Sequence, residues 1–231
     1  MKVGVFDSGV GGLTVLKKLK EKYPFNDYIY YGDTINIPYG EKDKNTLYKL
    51  SSRIVDFLIK KKVDLIVIAC GTVSSNCYQE LKKNYNIKMI DIISPTIDYI
   101  KRNNFSSVGV LATTRTINSH IFKNNLHIPV EEVACPEFVD LIENNKINKI
   151  NIDKYLKTIE SNTIILGCTH YPLIKDKIKR NCIDMADKII FNENSGQGTV
   201  NLYFSKLDNN ILKNIYLLTN NMKLYIYQEN I

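Results

Sequence analysis

Nothing in this 231-residue chain approaches the ~20 consecutive apolar residues that a membrane-spanning helix requires. Its first residues, Met1-Lys2-Val3-Gly4-Val5-Phe6-Asp7, run into glycine and charge too soon for a secretory signal. Gly/Ser-rich and Pro-rich linkers are missing too. The length therefore predicts one large domain or two small ones with short connections. The five cysteines are odd in number and contain no CxxC pair, which excludes a small disulfide scaffold and predicts reduced thiols in a cytoplasmic protein. No Gly-Lys-Ser/Thr occurs, so the P-loop pattern fails outright.

The formal net charge is +7, but the basic residues are scattered, with only short runs such as Lys60-Lys61-Lys62. A nucleic-acid binder clusters them on one face or tract. The charge is read as a bias towards Lys, Asn and Ile, with no nucleic-acid partner expected. A basic field still favours a small anionic substrate.

Short apolar runs alternate with amphipathic stretches. The pattern predicts strands over residues 2–6, 28–31, 65–69, 88–92, 107–111, 129–134, 163–166 and 188–191. It predicts helices over 13–22, 45–61, 74–84, 96–102, 116–124, 137–143 and 173–180. Alternation of this kind implies mostly parallel sheets with helices on both faces. Leu65-Ile66-Val67-Ile68-Ala69 is apolar throughout, as a strand buried on both sides should be. Asn-rich patches at 144–151 and 209–214 read as surface turns. One echo organises the whole: Ile66-Val67-Ile68-Ala69-Cys70-Gly71-Thr72 resembles Ile164-Ile165-Leu166-Gly167-Cys168-Thr169-His170. The repeat predicts two pseudo-symmetric three-layer α/β domains facing each other. The first takes residues 1–93 with the tail 206–231, and the second takes 94–205.

Ligands of open parallel sheets bind at the carboxyl ends of the strands. Asp7, Cys70 and Cys168 are all expected there. Asp7-Ser8-Gly9-Val10-Gly11-Gly12-Leu13-Thr14 joins a strand to a helix, and such a glycine-rich turn can admit a ligand to helix N-terminal amides. A dinucleotide loop is a weak alternative, because the sixth position counted from Gly9 is Thr14. Cys77, Cys135 and Cys182 read as small core hydrophobes. Cys70 and Cys168 differ: each precedes a predicted helix N-terminus, which would depress a thiol pKa, and each has a hydroxyl neighbour, Thr72 or Thr169. His170 stands two residues beyond Cys168, placed to tune it. A zinc site on Cys70, Cys168 and His170 lacks an obvious fourth ligand, and a redox disulfide would need two distant cysteines at bonding distance.

Several segments together resemble the glutamate racemases of the aspartate/glutamate racemase superfamily. They are Gly4-Val5-Phe6-Asp7-Ser8-Gly9-Val10-Gly11-Gly12-Leu13-Thr14-Val15-Leu16, Tyr31-Gly32-Asp33-Thr34, Ile37-Pro38-Tyr39-Gly40-Glu41-Lys42, Ile68-Ala69-Cys70, Val110-Leu111-Ala112-Thr113, Ala134-Cys135-Pro136 and Leu166-Gly167-Cys168-Thr169-His170-Tyr171-Pro172-Leu173. The resemblance implies two α/β domains with the active site in the cleft between them. It implies interconversion of L- and D-glutamate without pyridoxal phosphate or metal, supplying D-glutamate for peptidoglycan synthesis, and a homodimer. Cys70 and Cys168 then transfer protons, and Asp7 and His170 assist them. Ser8, Tyr39 and Gly40 match positions that hold one end of glutamate. Thr72 and Thr169, with Gly71, match those at the other end, and Glu143 lies nearby. Where the family often reads Cys-Asn-Thr, this chain has Cys70-Gly71-Thr72. Aspartate or hydantoin racemisation, and a non-catalytic binding relative, are the alternatives.

Overall fold

The computed structural model describes residues 1–192, 196–220 and 222–231. Its strands are β1 (Lys2–Asp7), β2 (Asp27–Gly32), β3 (Leu65–Ile68), β4 (Lys88–Asp91), β5 (Val108–Ala112), β6 (Val130–Ala134), β7 (Thr163–Leu166), β8 (Asn181–Asp184), β9 (Val200–Phe204) and β10 (Tyr225–Gln228). The helices are α1 (Leu13–Lys22), α2 (Lys44–Lys60), α3 (Gly71–Asn76), α4 (Tyr78–Asn84), α5 (Ile93–Arg102), α6 (Thr114–Asn118), α7 (Ile121–Asn125), α8 (Phe138–Glu143), α9 (Asp153–Leu156) and α10 (Asn209–Thr219).

Two parallel sheets form, in the orders β10-β9-β2-β1-β3-β4 and β6-β5-β7-β8. Setting β9 and β10 aside, the two orders are the same. β1 corresponds to β5, β2 to β6, β3 to β7 and β4 to β8, so the expected pseudo-symmetry is present in the topology. In each sheet the first strand lies between the second and the third. This is the topological switch point at which the loops beyond the strand ends part and leave a crevice.

Side-chain alternation along the strands separates three cores. Val3 and Val5 of β1 and Val108 and Val110 of β5 join α1 and α5 in a core shared by both halves. Phe6, Ile66 and Ile68 turn the other way, onto Leu47, Ile54 and Leu58 of α2. Leu111, Ile164 and Leu166 do the same onto Phe138 and Ile142 of α8. The shared core is why the halves sit against each other with their strand ends converging.

Several local expectations need correcting. The apolar run at 188–191 is not a strand. Asn181–Asp184 pairs with β7 instead, with Ile164 opposite Cys182, and Asp184 then caps a 3-10 turn through its bond from the Ala186 N–H. Phe191 stacks on Tyr23 at 4.3 Å, so this segment is held by side-chain packing rather than by a ladder. The return to the first sheet begins before residue 206, because β9 already pairs with β2, Tyr28 opposite Val200. The Asn-rich stretch 209–214 opens helix α10: Asp208 accepts the Ile211 N–H at 2.9 Å, and Ile211 and Ile215, four residues apart, are buried. The stretches 74–84 and 116–124 each form two short helices, and the segment after Cys168 is a 3-10 turn over Tyr171–Lys177.

Candidate active site

A cleft of about 550 Å³, counting its open mouth, lies where the two switch points meet. Asp7 ends β1, Cys70 follows β3, Thr113 follows β5 and Cys168 follows β7; all four line it. Cys70 and Cys168 therefore occupy equivalent places in the two halves and look into one space.

Cys70 is the N-cap of α3 and only 4% exposed. Its thiol is directed to the Ser8 hydroxyl, 4.0 Å away. Burial pushes this thiol up, the negative charge of Asp7 pushes it further, and the N–H groups of Val73 and Thr72 oppose them only partly. The expected depression by a helix N-terminus is overturned at Cys70, because a six-residue helix end is outweighed by desolvation and a neighbouring carboxylate.

Cys168 has a different setting. Its sulfur lies 3.6 Å from His170 Nδ1. His170 is 1% exposed, and its other ring nitrogen, Nε2, is 2.8 Å from Glu143 Oε1. Burial disfavours the imidazolium, but hydrogen bonds to Cys168 and Glu143, with their charges, prevail and hold the ring well above its ordinary pKa. Glu143 is absent from the cleft wall. Expected near the substrate positions, it stands behind His170, because α8 ends there on the far side of the ring.

Asp7 is 1% exposed. Its Oδ2 accepts the Gly12 N–H at 2.7 Å and the Thr169 hydroxyl at 3.3 Å, while Oδ1 is buried without a hydrogen-bond partner. Burial raises this carboxyl, against the lowering effect of His170 and the Gly12 amide. The glycine-rich turn was expected to admit a ligand to helix amides. The N–H groups of Gly12, Leu13 and Thr14, where the helix begins, are taken internally, by Asp7 Oδ2, Val10 O and Gly11 O, while Gly9 and Gly11 admit the other half of the molecule. A Cβ on Gly11 would collide with the His170 ring and stand 2.6 Å from Thr169 Oγ1.

The halves meet again across the cleft floor. A Cβ on Gly71 would stand 2.6 Å from the Gly167 carbonyl oxygen, a backbone atom with nowhere to go. Thr72 and Thr113 share a hydroxyl hydrogen bond at 3.0 Å. At the mouth, Tyr39 and Gly40 head a 3-10 turn, whose first N–H groups have no partner within it. Burial and the Asp33 charge keep the Tyr39 phenol protonated, and it donates to Asp33 Oδ2 at 2.7 Å, so the hydroxyl itself is committed away from the cleft.

The family model "Asp/Glu/Hydantoin racemase" matches residues 12–190. The chain belongs to this racemase family. A glutamate racemase of Hydrogenobaculum sp. (strain Y04AAS1) is 38% identical over 91% of this chain and 90% of its own. Among solved structures, glutamate racemase from Aquifex pyrophilus superposes with a TM-score of 0.84 at 33% identity, covering 98% of each chain. Glutamate racemase from Francisella tularensis in complex with D-glutamate superposes at 0.85 and 28% identity, covering 100% of this chain and 97% of the other.

In this racemase the cleft gathers Asp7, Ser8, Tyr39, Gly40, Cys70, Gly71, Thr72, Cys168, Thr169 and His170 from the expected residues, leaving out Glu143 alone. Cys77 and Cys135 are buried in the core as expected, whereas Cys182 is only partly covered. Thr113 was missed, although it lines the cleft and bonds Thr72. The echo that matched β3 to β7 could have found it, for in register Leu111-Ala112-Thr113 of the second half stands where Phe6-Asp7-Ser8 stands in the first, Phe6 lying opposite Ile68 as Leu111 lies opposite Leu166. No group of three or more His, Cys, Asp or Glu among the described residues is arranged to hold a metal ion, so the zinc alternative has no ligand set there.

Proposed function

We propose that this chain interconverts L- and D-glutamate by proton transfer between two opposed thiols, Cys70 and Cys168, with neither pyridoxal phosphate nor metal. The observation that carries the reading is the equivalence of the two cysteines: each follows the third strand of its half-sheet, and both line one cleft. Racemisation removes the Cα proton on one face and delivers a proton to the other. Two groups on opposite walls do this without either having to move around the substrate. One sulfur must be thiolate while the other is thiol, and the roles exchange with direction.

The burial and Asp7 charge that push the Cys70 thiol up keep its proton in place, ready for donation. The base in that direction is Cys168, whose neighbour His170 can hold the proton lost from its sulfur. An ammonium would satisfy the orphaned Asp7 Oδ1 and bring a positive charge beside Cys70, easing thiolate formation there for the reverse direction. Ser8 and the N–H groups of Tyr39 and Gly40 suit one carboxylate of glutamate; Gly71, Thr72 and Thr169 suit the other. Donors aimed at the α-carboxylate carry much of the catalysis, since negative charge moves there as the Cα proton leaves. Each tenfold of rate requires about 1.4 kcal/mol of such stabilisation.

The product D-glutamate would feed peptidoglycan synthesis. A cytoplasmic homodimer is part of the same reading, supported by the family resemblance. The test is incubation of purified, reduced protein with L-glutamate and a chelator, without added cofactor, followed by circular dichroism. Loss of the signal to zero is expected, with deuterium entering Cα when the solvent is heavy water. A folded protein that leaves L-glutamate unchanged but racemises aspartate would overturn the substrate; one inert on both would overturn the enzyme.

A further inference from the structure

The two Asn-rich patches meet. Helix α8 ends in a Schellman motif. The Lys146 N–H reaches the Leu141 carbonyl at 2.7 Å, and the Asn145 N–H reaches that of Ile142 at 3.0 Å, with Asn145 in the left-handed region at φ 56°. That motif satisfies two terminal carbonyls and passes over the third, on Glu143. Two amides from helix α10 fill the gap: Asn210 Nδ2 and Asn214 Nδ2 each donate to the Glu143 carbonyl at 2.9 Å. A carbonyl can only accept, so both amides must present nitrogen to it, which turns their oxygens outward. Asn145 Nδ2 donates to both of those oxygens, at 3.1 Å to Asn210 and 3.3 Å to Asn214.

Helix α10 packs on α1 in the first half of the molecule, whereas Glu143 belongs to the second. The same glutamate holds His170 through its carboxylate, and His170 holds the Cys168 sulfur. We propose that Asn210 and Asn214 are positioning residues for Cys168: by fixing the Glu143 backbone from the opposite half, they keep the Glu143–His170 pair aligned on that sulfur. Asn214 is 6% exposed, so its amide has little water to turn to if the carbonyl leaves. The coupling makes the grip on His170 depend on the two halves staying closed. On the other side, the Cys70 thiol is directed to Ser8 and to the Thr72 and Val73 N–H groups of its own turn, all within the first half.

The inference rests on the two-thiol reading, and one assay separates the two. Racemisation is measured in both directions for the unaltered protein, for Asn210→Ala with Asn214→Ala, for Glu143→Ala, and for the asparagine pair added to Glu143→Ala. The expected result is a fall in kcat of about tenfold for the asparagine pair with KM within about twofold, and no further fall when the pair is added to Glu143→Ala, because a carboxylate that is absent cannot be aligned. Should the pair unfold the chain, Asn210→Ala alone, at an exposed position, is expected to lower kcat about threefold in folded protein. Unchanged kcat in folded variants would overturn the brace while leaving the racemase reading intact. So would an undiminished loss in the Glu143→Ala background, which would make the amides a mere anchor for the tail. An unaltered protein without turnover would overturn both.

Discussion

The turn after β3 and the turn after β7 are built on the same strand-cysteine frame, yet they give their thiols opposite surroundings. Cys70 has burial, a hydroxyl at 4.0 Å and the Asp7 carboxylate around it. Cys168 has an imidazole at 3.6 Å, itself held by a carboxylate at 2.8 Å. Symmetry of backbone thus coexists with asymmetry of charge. On the proposed two-thiol reading, racemisation needs opposed positions and only loosely constrains how each thiol is tuned, so a symmetric substrate pair, L and D, would be handled by an asymmetric pair of acid/base groups.

The largest effect should fall on both sides alike. Cys70→Ala or Cys168→Ala is expected to lower racemisation at least about 10³-fold, read by circular dichroism. Near-full activity in either variant, in both directions, would end the two-thiol account. The next test separates the sides. His170→Gln should cost about 10²-fold in kcat, since it strips Cys168 of its proton partner and leaves Cys70 untouched. Wild-type kcat in that variant would mean that the charge asymmetry has no catalytic role.

Gly71→Ala comes third. It should lower kcat/KM by on the order of 10-fold and lower Tm, because the added methyl meets the Gly167 carbonyl and forces the two turns apart. An unaffected variant would show that the halves are free to separate there. The same clash with the Gly167 carbonyl predicts the same outcome for Gly71→Asn in this chain, despite the extra donor an Asn would bring.

A pH titration sharpens the comparison without altering the cleft's shape. Cys168, Glu143 and Asp7 face His170, and its folded pKa is raised above the unfolded value near 6.5. The stability gained from its protonation is therefore complete below about pH 6.5 and lost as pH rises through the elevated folded value. The Tm difference between the parent and His170→Gln should be greatest at the acid end and shrink towards alkaline pH; a difference that grows with pH would reverse the sign argued here. The smallest effect belongs to Cys182→Ser, which lies outside the cleft and should leave kcat and KM unchanged in the same dichroism assay.

Most of the architecture was legible because periodicity records burial. Leu65–Ile68 is buried on both faces, and its uniform apolarity said so. The echo around the cysteines gave the pseudo-symmetry, since both turns must perform the same strand-to-cleft geometry. The 188–191 run failed because Ile189 and Phe191 are buried by packing on the shared core, which leaves the same hydrophobic mark as a ladder does. Helix α10 failed because asparagine disfavours helix interiors, and only tertiary contact at Ile211 and Ile215 reveals the reason for it. At the site, residue types were readable but their neighbours were not. The direction of the Cys70 shift depends on how close Asp7 comes and how little water remains. Neither is written in local sequence. Glu143 was noticed, but its place behind His170 needed the fold.

The pairing of β9 with β2 also governs the order in which the chain can be completed. Strand β2 leaves the ribosome early, yet the partner for its outer edge is at Val200–Phe204, beyond the whole second half. Until that segment emerges, Tyr28-Ile29-Tyr30-Tyr31 presents a row of unpaired N–H and C=O groups beside an apolar surface, the kind of edge that recruits strands from other chains. The nascent protein therefore exposes this edge while its second sheet is being made, and covers it only when Val200–Phe204 arrives.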